Sequence, residues 1–140
     1  QKLCLLSEDG QVEEYMDIPF GGNNSYIRRI CDDMVVVDNS VFNNDISDWD
    51  TTKYCIDLRT KEIRKNTFKI DNEGKILSAT IQGMTKDYVI ATVGYTYKEM
   101  TGFDQDGNIF TYTVDTPVFG KFTFDDFFSD RMVYQTFENI

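Results

Sequence analysis

The sequence predicts an all-β chain of consecutive antiparallel meanders, and three observations predict it. Short runs rich in β-branched and aromatic residues recur, such as Met34-Val35-Val36-Val37 and Ile109-Phe110-Thr111-Tyr112-Thr113-Val114. Asp, Asn and Gly residues punctuate these runs at short intervals, as hairpin turns require. Between Ser25 and Phe68 four such runs follow one another directly, which is the spacing of a four-stranded meander. An antiparallel β-barrel or β-sandwich uses the same alternation and turns, and stands as the alternative.

Taken in order, Lys2–Ser7 and Gln11–Ile18 read as a hairpin over Glu8-Asp9-Gly10. There Gly supplies the positive φ of a tight turn. Pro19 stops the second strand, and Gly21-Gly22-Asn23-Asn24 reads as a loop. Ser25–Cys31 is the next strand, Asp32-Asp33 a turn, and Met34–Val37 a strand apolar enough to be covered on both faces. The polar composition of Asp38–Thr52 predicts a long loop carrying Trp49. Lys53–Leu58 and Lys61–Phe68 then form a hairpin. After a turn at Asp71-Asn72-Glu73-Gly74 come strands at Lys75–Gly83, Tyr88–Tyr97 and Ile109–Val114. Pro117 is expected to break the last of these before a further strand at Val118–Phe124. In the tail, Asp125–Asp130 suits one helical turn capped near Thr123, and Met132–Phe137 a last strand.

Lys2-Leu3-Cys4-Leu5 aligns with Lys53-Tyr54-Cys55-Ile56, each followed by a turn and a second strand. The two segments lie about 50 residues apart, in the range of propeller repeats at about 40–50 residues per blade. On these residues the chain resembles the C-terminal part of a bacterial β-propeller-repeat protein of the broad type that includes TolB-like and WD40-like domains. It carries neither a WD dipeptide nor a double-glycine kelch motif. The resemblance implies a single all-β domain over 1–140, with a half blade at about 2–20, blades at 25–68 and 75–124, and a closing tail at 125–140. It also implies an extracellular or cell-envelope location. A first hairpin without inner strands of its own leaves sheet edges open, so a homo-oligomer, or a partner chain covering those edges, is expected.

Composition narrows the function. The formal net charge of -10 disfavours nucleic acid and anionic membrane as partners. No apolar run approaches the roughly 20 residues that span a bilayer. The chain has no histidine, which removes Ser-His-Asp and Cys-His catalysis and the commonest metal ligand. Cys4, Cys31 and Cys55 form no CxxC pair. They read as small buried hydrophobes, or as two partners of a disulfide and one free thiol. No cofactor is expected.

The residues that could carry chemistry are few. Trp49, Tyr95 and Tyr97 could stack on a sugar or a peptide, with nearby carboxylates supplying hydrogen bonds. Asp45, Asp48 and Asp50, beside Asp38, Asn43 and Asn44, offer hard oxygens of the kind that hold Ca²⁺, although their spacing matches no calcium loop. Asp104–Ile109 superficially resembles the middle of an EF-hand loop but lacks both end ligands, so a hairpin turn is expected there. Three functions follow: a non-catalytic binding or scaffold module, as the resemblance implies, for protein or carbohydrate; an incomplete part of a carboxylate-dependent glycoside-acting enzyme; or a purely structural repeat segment.

Overall fold

The structure, a computed structural model, describes residues 1–21, 24–72 and 75–137. Residues 22–23 of the loop expected at Gly21–Asn24, and 73–74 of the turn expected at Asp71–Gly74, lie outside the described residues. The fold is all-β, with strands forming 66% of the chain and helix 3%, and every strand pair is antiparallel. The chain divides into two compact units, Gln1–Thr67 with Phe128–Asp130, and Phe68–Phe127 with Arg131–Ile140.

The first unit opens with a hairpin of β1 (Lys2–Leu6) and β2 (Val12–Asp17). Its turn is closed from both sides. The Ser7 amide donates to the Gln11 carbonyl at 2.9 Å and the Gln11 amide to the Ser7 Oγ at 3.0 Å. Gly10 takes a φ of 85°, a region that a Cβ makes costly. A four-stranded meander follows, β3 (Asn24–Cys31), β4 (Met34–Asn43), β5 (Asp48–Asp57) and β6 (Ile63–Asn66), paired in chain order. Asp32 makes the first turn at φ 51°, a left-handed conformation that Asp tolerates better than most residues.

The core of this unit follows from alternation along the central strands. Val35 and Val37 point to one face, where they pack with Ile56, Leu3 and Phe20. The Phe20 ring stacks on Tyr54 with centroids 3.8 Å apart. Met34 and Val36 point to the opposite face and are buried as well, as is Cys55, the partner of Val36. The continuous apolar run at Met34–Val37 is therefore covered on both faces, as its composition predicts.

The expected loop over Asp38–Thr52 is not a loop. β4 continues to Asn43 and β5 begins at Asp48, leaving only residues 44–47 as the turn. Cross-strand polar pairs explain the misreading. Ser40 and Thr51 share a hydrogen bond of 2.7 Å, the Asn43 Nδ2 donates to Asp50 at 2.9 Å, and the Ser25 hydroxyl donates to Asn39. Polar side chains satisfied across a ladder build a strand with the composition of a loop.

The second unit begins with a hairpin of β7 (Lys69–Asn72) and β8 (Lys75–Ser78). A second four-stranded sheet comprises β9 (Ile81–Met84), β10 (Tyr88–Phe103), β11 (Ile109–Thr123) and β12 (Gln135–Phe137). The run Lys75–Gly83, expected as one strand, is thus two, because β8 pairs back on β7 while β9 pairs with β10. Pro117 does not break β11, which runs through it opposite Tyr95. On the side away from β10, β11 meets another strand among the described residues only at Phe119–Lys121. Residues 109–118 are an edge, where a missing N–H is tolerated.

After β11 comes a single helical turn, α1 (Phe124–Phe127), whose Asp126 amide donates to the Thr123 Oγ1 at 3.1 Å, as expected of a cap at Thr123. Phe122 is the centre of the core here. Its ring lies 5.6 Å from Phe68, 5.3 Å from Phe127 and 5.1 Å from Tyr134. Val89 and Ala91 of β10 are buried on the same sheet.

Candidate functional site

The outer half of the β4–β5 hairpin gathers the chemistry of the first unit. Strand register decides which side chains share a face. Phe42 lies opposite Trp49, and Ser40 opposite Thr51. Tyr26 of β3 lies opposite Asp38, two residues along the same face of β4. The Phe42 and Trp49 rings meet edge to face, with centroids 5.4 Å apart at 76°. Both remain about half exposed, at 46% and 49%. Below them the Ser40–Thr51 hydroxyls and the ion pair of Arg28 Nε with Asp38 at 3.0 Å form a polar floor. Arg28 also donates to the Tyr26 hydroxyl at 2.6 Å, and its guanidinium lies 4.1 Å from that ring's centroid.

The opposite face of the same hairpin end carries Val41, Asn43, Asp48 and Asp50. A shallow cavity of about 340 Å³ is lined there by Val41, Phe42, Asn43, Asn44, Asp45 and Asp50. The polar groups at this end of the hairpin are held in place. The Asp45 amide donates to the Asn43 Oδ1 at 2.9 Å, and the Trp49 amide to the Asp48 Oδ1 at 2.8 Å. The Asn43, Asp48 and Asp50 oxygens thus lie on the face opposite the rings, while the ring face sets two aromatic rings above the Ser40, Thr51 and Asp38 oxygens. That combination receives a ligand having both an apolar face and hydrogen-bond donors.

Of the residues singled out from sequence, Trp49, Asp45, Asp48 and Asp50 come together on this hairpin end. Among the described residues no group of three or more His, Cys, Asp or Glu side chains is placed to hold a metal ion. Asp50 is tied to Asn43, and the Asp48 carboxylate accepts from the Trp49 amide. Tyr95 and Tyr97 belong to the second unit, on one face of β10 opposite Pro117 and Asp115. Asp104 is a turn residue, accepting from the amides of Asp106 at 2.9 Å and Asn108 at 2.8 Å, with Gly107 at φ 79°.

A second cavity, of about 350 Å³, was not legible in the sequence. It is lined by Tyr88, Lys121, Phe122, Asp126, Tyr134 and Gln135 with their neighbours. The Lys121 Nζ lies 4.3 Å from the Tyr88 ring centroid, and Arg131 holds Asp126 at 2.8 Å. Its lining comes from three separated stretches of chain, and no local motif joins them. The only sequence signal is the crowding of aromatic residues after Val118.

None of the three cysteines is in a disulfide, and their expected burial holds for Cys55 alone: Cys4 is exposed and Cys31 partly so. Burial pushes the Cys55 thiol up to about 12, with the Asp57 carboxylate adding to the effect. A thiol kept neutral in this way is no nucleophile. It also has a consequence for stability. In the unfolded chain the group ionises near 9, so folding is favoured fully below that value and loses support as pH rises toward 12. Wild type is therefore expected to lose stability relative to Cys55→Val across that window, by at most about 1.4 kcal/mol per pH unit. Urea unfolding of the two proteins at stepped alkaline pH measures the difference, and parallel curves would refute the assignment.

Comparison with protein-family models, curated proteins and solved structures finds no match for the chain.

Proposed function

We propose that the chain is a non-catalytic binding module of β-propeller-repeat type, with the outer end of the β4–β5 hairpin as its ligand surface. The ligand class that fits is a neutral oligosaccharide. The observation that carries this reading is the Phe42–Trp49 ring pair, half exposed on the face that also carries the Ser40, Thr51 and Asp38 oxygens. A pyranose ring offers a C–H face to an aromatic platform and hydroxyl donors to such acceptors. The Asp38 carboxylate on this face, with Asp48 and Asp50 on the reverse of the same hairpin end, disfavours an anionic ligand. The propeller-repeat type is supported by the meander order of β3–β6 and by the earlier alignment of Lys2–Leu5 with Lys53–Ile56. A second chain covering open sheet edges belongs to the same reading. In a cell-envelope or extracellular setting such a module would hold a glycan without cleaving it.

The test is isothermal titration with gluco-, xylo-, galacto- and N-acetylglucosamine oligomers. At least one series is expected to bind the wild type and to bind Trp49→Ala about tenfold more weakly, the effect of losing one well-placed aromatic contact. Equal affinity of the variant for every series that binds, or binding by none, would sink the proposal.

A further inference from the structure

β10 and β11 pair without a break from Tyr88↔Thr123 out to Phe103↔Ile109, apart from a bulge at Val93. Among the described residues, the strands that pair with this ribbon do so at its base. β9 meets β10 at Val89–Ala91, and β12 meets β11 at Phe119–Lys121. Beyond that, every residue of β11 from Ile109 to Pro117 is exposed. A two-stranded ribbon standing alone is marginal in water, and an unpaired edge of backbone donors and acceptors is a template for another strand. The composition of the edge says which strand. Ile109–Val114 carries no charge, no proline and no glycine, and from Phe110 to Val114 it alternates aromatic or aliphatic residues with threonine. Such segments pair with copies of themselves. Asp115 and Pro117 follow directly and confine the pairing to this segment.

We propose that the free edge of β11 pairs antiparallel with the same edge of a second copy of this chain, about a twofold axis at Tyr112. This pairing deepens the reading that another chain covers the open edges, and it rests on that reading. In this register Phe110 faces the partner's Val114, Thr111 the partner's Thr113, Ile109 the partner's Asp115, and Tyr112 the partner's Tyr112. Aromatic residues meet β-branched ones, threonines meet threonines, and no like charges oppose, which are the favourable cross-strand pairs. Pro117 falls outside the paired stretch. The Phe110 ring is already set for it. That ring lies over Gly102, where a Cβ would come within 2.7 Å of its Cζ, and 5.7 Å from Tyr112. Phe110, Tyr112 and Val114 share one face with Met100. The pairing turns two exposed apolar strips into one four-stranded sheet. A charge of -10 on each copy opposes association in general, so an uncharged edge is where two copies can meet.

Sedimentation equilibrium of the full chain tests this. Wild type is expected to be a dimer that dissociates on dilution. Tyr112→Lys and Tyr112→Glu, each placing like charges against each other at the axis, are expected to be monomers. An equimolar mixture of the two is expected to dimerise again. Near-ultraviolet circular dichroism checks that both variants are folded. Independently of any variant, amides within residues 109–115 of the wild type are expected to exchange more slowly as protein concentration rises. Dimers in both single variants would overturn the β11 pairing while leaving a second chain at some other edge. A monomeric wild type, a mixture that stays monomeric, or exchange at 109–115 that ignores concentration would overturn it outright. The oligosaccharide titration does not depend on any of these outcomes.

Discussion

Phe122→Ala is expected to destabilise the protein by about 3–5 kcal/mol, the largest effect of any single truncation considered for this chain. The side chain is 1% exposed and its ring contacts the rings of Phe68, Phe127 and Tyr134. Truncation removes the transfer free energy of the ring and leaves a cavity that several rings border. Those rings come from different parts of the chain and cannot all close in on the space. The neighbouring Gly120 shows how tight the packing is. A Cβ there would stand 2.8 Å from both Tyr134 Cδ2 and Val93 Cγ1. Urea unfolding followed by far-ultraviolet circular dichroism measures the loss, with Lys98→Ala on the exposed part of β10 as the control expected within about 0.5 kcal/mol of wild type. A loss for Phe122→Ala below about 1 kcal/mol would contradict the packing described.

Ile56→Ala is the corresponding experiment in the first unit, with an expected loss of about 2–5 kcal/mol. Ile56 is fully buried, paired with Val35 on one side and Ile63 on the other, and packed with Leu3 and Phe20. It joins the β1–β2 hairpin to the four-stranded sheet, so its removal loosens two elements together. Ile27→Ala on the edge strand β3, where the side chain is 53% exposed, is expected to cost far less. Similar losses for the two would mean that the hairpin does not pack on this face. Because the chain has two compact units, both variants should be followed by probes of each unit, since a single transition cannot be assumed.

The all-β class and most strand positions were legible because they rest on local chemistry. β-Branched runs such as Met34–Val37 and turn residues such as Gly10, Asp32 and Gly107 state their conformation within a few residues. Three misreadings share a different cause. Asp38–Thr52 has the composition of a loop and the structure of a hairpin, since Ser40 with Thr51 and Asn43 with Asp50 satisfy one another across the strands. Pro117 looks like a break but sits on an edge. Lys75–Gly83 looks continuous, yet its two halves pair with different strands. Pairing partners decided each case, and partners distant in sequence leave no local mark. The site divides in the same way. Trp49 and its neighbouring carboxylates stood out as residue types, whereas the ring contact with Phe42 needed the register of β4 on β5. The cavity beside Lys121 and Asp126 needed the fold itself.

Trp49 is the chain's only tryptophan, so its emission reports on the proposed ligand surface alone. The measurement that tests the central claim most directly is a fluorescence titration of the wild type with the four oligosaccharide series. The account predicts a saturable shift in emission with at least one series, abolished by Phe42→Ala and weakened by Thr51→Val. Emission unchanged by every series, or a shift that survives Phe42→Ala intact, would contradict it.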